Sequence, residues 1–276
     1  MNKKILLAAF AIAGIFCLSG CGKKAYAQSS KPIVKIPSAE EEKFSRVFQK
    51  MSARAKEAIC VTEENKTEFI KDLYAILEEE KTFRPDDKSL FFLIDKKHTA
   101  SSSYAPKDLV SLEKNSLFDL NKAGMKIRPE AYSALNEMAQ AALNDGIRLL
   151  VSSAYQQSYS YQENLFNYWV SVDGLEEAER ESARPGTSQH QLGTAVDFGS
   201  ISDDFDKTQM GQWIYKNAAD YGWSLSFPKG YEDVTGYRWE CWHFRYIGKN
   251  ACRFQQKWFG GIQQFMLEFI DCWKNC

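Results

Sequence analysis

Histidine is scarce in this sequence: three of 276 residues, at positions 98, 190 and 243. A site built on imidazole has only those three to draw on. No CxxC pair occurs, which argues against a thiolate metal site. Neither sign of charge predominates. With 35 basic against 36 acidic residues the net charge is -1, so no overall field favours nucleic acid or an anionic surface. The apolar run from Ile5 to Leu18 is shorter than the roughly 18 residues of a comfortable membrane helix. No internal repeat is visible. Against these absences stand 44% hydrophobic and 14% aromatic residues, enough for one well-filled core.

The amino terminus has the layout of a bacterial export signal, with Lys3 and Lys4 ahead of the apolar run. It closes on Leu18, Ser19, Gly20 and Cys21, the pattern of a lipoprotein signal in which Cys21 is acylated and becomes the new amino terminus. That reading places an exported chain on a bacterial membrane, facing the periplasm or cell wall. An ordinary cleavage site at Ala25, Tyr26 and Ala27 is the alternative, and releases a chain beginning at Gln28. The expected organisation is a signal peptide over 1–20, a tether over 21–38 that contains Pro32 and Pro37, a helical extension over 39–85 and the main domain over 86–276. Setting aside Cys17 and Cys21, five cysteines remain (60, 241, 252, 272 and 276), an odd number that leaves at least one thiol without an internal partner.

Apolar residues at three and four spacing predict helices over Glu41–Ile59 and Thr67–Glu80, the second with Phe69, Leu73, Ile76 and Leu77 on one face. Leu90 to Ile94 reads as a buried strand that opens into a loop carrying His98. A helix opens at Pro129 and stops at Asn144, Asp145 and Gly146. Ile147 to Ser152 predicts a strand, and Tyr159 to Val170 a helix. Helices and strands mixed without strict alternation indicate α+β.

Two segments concentrate groups able to do chemistry. In ARPGTSQHQLGTAVDF, from Ala183 to Phe198, His190 and Asp197 flank a turn at Gly193. Alternation over Thr194–Phe198 puts Ala195 and Asp197 on one strand face. In RWECWHFRYIG, from Arg238 to Gly248, Glu240 and His243 are three apart, so on a regular strand they face opposite ways. Both reach one site only if Glu240 stands on a loop or bulge and the strand starts near Trp242. His243 and Arg245 then share a face, and Trp242, Phe244 and Tyr246 cover the other. Two histidines and one carboxylate with an open position have the layout of catalytic rather than structural zinc, and Glu240 is placed to act as general base for water. His98 is left as a loop residue.

SxHxxGxAxD, carried by Ser188, His190, Gly193, Ala195 and Asp197, followed by ExWH, carried by Glu240, Trp242 and His243, resembles the VanY-type D-alanyl-D-alanine carboxypeptidases of the LAS zinc peptidase superfamily. The likeness runs from about Leu90 to the carboxyl terminus. It implies a small central antiparallel sheet with flanking helices (Hedgehog/DD-peptidase-like), one zinc ion held by His190, Asp197 and His243, Glu240 as base, and peptidoglycan stem peptides losing a terminal D-alanine. It also implies that Ser188, Tyr155, Gln156 and Gln162 line the substrate groove. The chain departs from the family in one place: where members read SGYRS, it reads SAYQQSYSYQ, so Gln156 stands where a substrate-facing arginine is expected. An uncharged amide supplies no charge-assisted hydrogen bond, and Arg184 and Arg238 are candidate substitutes. Alternatives are an L,D-carboxypeptidase acting on tetrapeptides and a lipoprotein that binds wall peptides without turnover.

Overall fold

The computed structural model describes residues 38–83, 89–155 and 159–276, which lie in one compact unit. The expected export signal, Cys21, the expected tether before residue 38 and Gln156 fall outside the described residues.

The chain enters through three helices, α1 (Ser38–Lys50), α2 (Ala53–Ala58) and α3 (Lys66–Thr82). The single helix expected over 41–59 is two, because Ser52 ends one run and caps the next, its hydroxyl accepting from the Ala55 amide at 3.1 Å. On α3 the buried face is Phe69, Ile70, Leu73 and Ile76, close to the stripe the spacing predicts. It meets two carboxyl-terminal helices introduced below, and together they form one of the two main cores. Phe69, fully buried, has the rings of Phe44, Phe254, Trp258, Phe259 and Phe269 around it at centroid distances of 5.1 to 6.0 Å. The amino-terminal helices are thus part of the same packed body as the carboxyl terminus.

A two-stranded ribbon pairs β1 (Val110–Ser111) with β3 (Lys126–Ile127), antiparallel. The main sheet holds β2 (Phe118–Leu120), β4 (Leu149–Ser153), β5 (Ala195–Phe198), β6 (Trp223–Leu225) and β7 (His243–Tyr246), in the order β2-β4-β5-β7-β6. β4, β5, β7 and β6 are antiparallel neighbours, as the resemblance implies, while β2 joins β4 in parallel. The parallel pair follows from its connection: α4 (Pro129–Asn144) crosses between the two strands, as a parallel pairing requires. α4 starts with Pro129 at its first turn and buries Ala131, Ala134, Leu135, Met138, Ala139 and Ala142 in the second main core beside the sheet. The remaining helices are α5 (Tyr159–Glu181), α6 (Gln209–Asn217), α7 (Glu232–Thr235), α8 (Lys249–Trp258) and α9 (Gln263–Lys274), the last two packing on α3 and α1. α5 outruns its predicted end and is interrupted at Gly174, whose φ of 83° and ψ of 168° are not helical.

The segment Leu90–Ile94 is buried except for a half-buried Phe92, but it is not a strand. Its carbonyls serve a different donor: Arg245, fully buried, donates from Nη2 to Leu90 O at 3.0 Å and Phe92 O at 2.9 Å. A backbone whose acceptors answer a buried guanidinium needs no ladder partner. Cys60, Cys241, Cys252, Cys272 and Cys276 are free thiols. Among the described residues no helix is long and apolar enough to cross a membrane.

Candidate active site

Asp197 on β5 and His243 on β7 are register partners on adjacent antiparallel strands. His190 reaches them from a short 3-10 turn, Gln189–Leu192, that precedes β5. Gly193 makes the return possible. Its φ is +69°, and a Cβ there would come within 2.6 Å of Leu109 Cδ2, so both the backbone angle and the close approach require glycine. Glu240 sits in the loop before β7. Its amide is tied to Phe227 O at 3.1 Å, and its carbonyl accepts from the His243 amide at 3.2 Å. The strand begins only at His243, after a turn at Cys241 and Trp242, so a histidine and a glutamate three apart face the same place.

His190 Nε2 lies 3.2 Å from Asp197 Oδ2, and His243 Nδ1 lies 3.0 Å from Asp197 Oδ1 and 3.6 Å from Glu240 Oε2. The imidazoles meet edge to face with centroids 4.8 Å apart. One donor atom from each of His190, Asp197 and His243 falls within 4.8 Å of the others. Asp197 Oδ1 is buried without a hydrogen-bond partner despite that 3.0 Å approach. Unpaired buried oxygens are costly, and nitrogen and oxygen donors converging on one point are what a divalent cation satisfies. Two imidazoles and a carboxylate suit zinc. On this donor set the residues fit a metal ion.

Burial works to raise the Asp197 carboxyl, but the adjacent His190, and then His243, outweigh it and hold the group well below the usual carboxylate range. Burial lowers His243, which keeps the imidazole neutral and its lone pair available. Glu240 moves the other way. Burial first, and the Asp197 charge second, push its carboxyl well above the ordinary value. Two carboxylates set apart in this manner are a common arrangement of acid–base sites.

Behind the site, His243 Nε2 is 3.3 Å from Gln189 Oε1, which also accepts from Ser226 Oγ at 2.6 Å. An acceptor at Nε2 assigns the ring proton to that nitrogen and leaves Nδ1 facing Asp197. Phe227 packs on the same imidazole, with centroids 4.8 Å apart.

The site opens into a cleft of about 410 Å³ lined from α5 by Tyr161, Gln162, Leu165 and Trp169 and from the far side by Phe227, Tyr237 and Arg238. A volume of this order accommodates a short peptide end. Of the expected groove residues, Ser188 and Gln162 line it, and Gln162 Nε2 also donates to Ala183 O at 2.7 Å, holding the segment that leads to His190. Tyr155 does not. Its amide and carbonyl both bond to Lys126, at 3.0 and 2.7 Å, and the buried residue is not part of the cleft wall. Gln156 lies outside the described residues. Of the two candidate arginines, Arg184 pairs with Glu179 and stacks on Phe166, away from the cleft. Arg238 lines the cleft and is held by Asp203, at 2.6 and 2.7 Å, and by Glu181 at 3.4 Å. Arg245 shares the face of His243 but points to the Leu90 and Phe92 carbonyls. Trp242, expected only to cover the core, also lines the cleft.

Gln189, and the pair Thr187–Tyr237 with hydroxyls 3.2 Å apart, were not visible as site residues in the sequence. Gln189 could have been suspected from its place between Ser188 and His190. Thr187 and Tyr237, fifty residues apart, carry no such signal.

Fold and donor set together define a single-site metallopeptidase architecture: an antiparallel sheet whose adjacent central strands present an aspartate and a histidine, with a buried glutamate beside them. The family model of VanY, D-alanyl-D-alanine carboxypeptidase, matches residues 124–249. A Bacillus subtilis protein described as putative carboxypeptidase YodJ is 36% identical over 172 residues, 60% of this chain and 63% of that protein. Among solved structures, the LdcB LD-carboxypeptidase is 31% identical with a TM-score of 0.58, covering 68% of this chain and 92% of that one. A mutant of the vancomycin-resistance D,D-pentapeptidase VanY in complex with Zn(II) is 25% identical with a TM-score of 0.52, covering 64% and 98%. The chain therefore belongs to the VanY-type carboxypeptidase family of the LAS zinc peptidases. It spans 63% of the length of the Bacillus relative.

Proposed function

We propose that this chain is a zinc-dependent D,D-carboxypeptidase that releases the terminal D-alanine of peptidoglycan stem peptides. The observation that carries the reading is the cluster of His190, Asp197 and His243 donors within 4.8 Å, with the buried Glu240 carboxylate 3.6 Å from His243 at the floor of a peptide-sized cleft. The Zn(II) complex of a D,D-pentapeptidase VanY mutant supports the choice of metal, and the match to the D-alanyl-D-alanine carboxypeptidase family model supports the substrate.

His190, Asp197 and His243 would hold the ion, which when bound polarises the scissile carbonyl and makes nearby water acidic. Glu240 takes the proton from the attacking water at its carboxylate and returns it to the departing amine. Its raised affinity for protons in the buried pocket suits the acid half of that task, and a cation held beside it would favour the ionised form needed for the base half. Gln189 fixes the His243 imidazole. Trp242, Phe227 and Tyr237 shield the floor from water.

The exported, cell-wall location follows from the same substrate. The export signal over 1–20 and acylation of Cys21 extend it to a membrane-anchored lipoprotein with a tether to residue 38. Mass spectrometry of the mature amino terminus tests the anchor, and an unmodified chain starting at Gln28 would remove it. Digestion of pentapeptide and tetrapeptide muropeptides, with chelator and with zinc added back, tests the activity. Chelator-sensitive release of D-alanine from the pentapeptide is expected. Release only from the tetrapeptide would reassign the enzyme as an L,D-carboxypeptidase, and no release from either would leave a wall-peptide-binding lipoprotein.

A further inference from the structure

A carboxypeptidase must recognise the free carboxylate one residue beyond the bond it cuts, about 3.5 Å further along the peptide. The cleft offers few charges for this. Among the described residues its acidic lining groups are Glu181, Asp197 and Glu240, and its nitrogen bases and cations are His190, His243, Arg238 and Lys122. The histidines are turned to Asp197, and Arg238 is held between Asp203 and Glu181. Lys122 is the exception, a cleft-lining, exposed lysine with no hydrogen bond or ion pair among the described residues.

Register places it. β2 and β4 run parallel with Leu120 opposite Val151, and the ladder continues one residue further where the Asn121 amide donates to Val151 O at 2.9 Å. Lys122 lies two residues past the end of β2, and it and Ser153 line the same cleft. Ser153 is opposite Asp197, and Asp197 is opposite His243. Ser153, Asp197 and His243 therefore form one row across the sheet, and Lys122 lines the same cleft from just beyond the end of β2, two strands from β5, a span of about 10 Å at the usual strand spacing. A four-carbon stem carrying an ammonium spans much of that interval.

We propose that Lys122 binds the substrate's terminal carboxylate and so sets the requirement for a free carboxyl end. The inference rests on the carboxypeptidase reading above. Gln156, being neutral, does not supply this charge, and Lys122 does so from the neighbouring strand's end.

The test uses the zinc-loaded chain, a D-Ala-D-Ala-terminated pentapeptide and its carboxy-terminal amide. Two measurements are made, steady-state release and equilibrium binding. Wild type should prefer the free acid. Lys122→Met should lose about tenfold or more in kcat/KM on the acid, mostly through KM, as expected for a lost charge-assisted contact. It should treat the amide as wild type does and keep full zinc content, and Lys122→Arg should retain most of the preference. An unchanged acid-over-amide preference in Lys122→Met, with acid turnover within twofold of wild type, overturns the assignment. If wild type releases no D-alanine at all, the carboxypeptidase reading fails by itself. The binding comparison then still decides Lys122: equal loss of acid and amide binding, or no loss of either, refutes it.

Discussion

Gln189 is the side chain on which the orientation of His243 depends, and its replacement tests that dependence. Its Oε1 accepts from His243 Nε2 at 3.3 Å and from Ser226 Oγ at 2.6 Å. In Gln189→Leu the imidazole N–H loses its acceptor in a place that is 4% exposed. Ser226 keeps a second, longer contact with Gln263 Oε1 at 3.4 Å, so the penalty falls mainly on His243. An unsatisfied buried donor costs about 1–3 kcal/mol. The ring relieves that cost by rotating or by moving its proton to Nδ1, and either change removes a lone pair from the cluster with Asp197. Loss of a partner behind a metal-bound histidine lowers metal affinity about 10- to 100-fold. Competition with a chromophoric chelator measures the zinc dissociation constant, and nitrogen-detected NMR of the imidazole reads the tautomer. Gln189→Leu should weaken zinc by that factor and shift the His243 tautomer, whereas Gln189→Glu, which keeps an acceptor, should bind zinc at least as well as wild type. Zinc affinity within twofold of wild type in the leucine variant, with an unchanged tautomer, would refute the reasoning.

Glu240→Gln should lower turnover about 10²- to 10⁴-fold while zinc content stays at wild-type level, measured by D-alanine release and metal analysis; a loss under tenfold removes Glu240 as base. Phe69→Ala, which empties the ring cluster of the amino-terminal helices, should cost about 3–5 kcal/mol, or about 6–20 °C in Tm for a domain of this size. The melt should remain a single transition, and separate melting of α1–α3 with the remaining Tm unchanged would show that the helices are an appendage. Asp95, held by the amides of Lys97 and His98, by His98 Nδ1 and by Gln264 Nε2, keeps its carboxyl below the usual range although burial works to raise it. A depressed carboxyl stabilises the fold above its unfolded value of about 3.9 and loses that contribution as pH falls through the folded value. Asp95→Asn should therefore cost about 1.5–3 kcal/mol near pH 7, with a gap to wild type that narrows below about pH 4 in denaturant titrations. A gap constant from pH 7 to pH 3 would contradict this.

Much of the site was legible in the chain because its chemistry is local. His190 and Asp197 share one segment with the glycine whose backbone freedom the turn uses, and Glu240 and His243 share another. With only three histidines, few metal sets were possible. Side-chain alternation even required Glu240 to stand off the strand, and β7 does begin after it. Helix starts and stops such as Pro129 and Asp145–Gly146 were equally local, since caps and turns are short-range chemistry. Tertiary structure decided what depends on distant partners. Leu90–Ile94 has the composition of a strand, yet a guanidinium more than 150 residues away takes its carbonyls. The three amino-terminal helices looked separable until α8 and α9 closed around Phe69. Tyr155, which the resemblance places in the groove, stands outside the cleft wall with its backbone paired to Lys126. Gln189 behind His243, and Lys122 in the same cleft as Asp197, gain their significance only when the fold brings together residues far apart in the chain. Local pattern specifies which groups are reactive and what backbone carries them, while long-range packing and register specify which groups stand beside them.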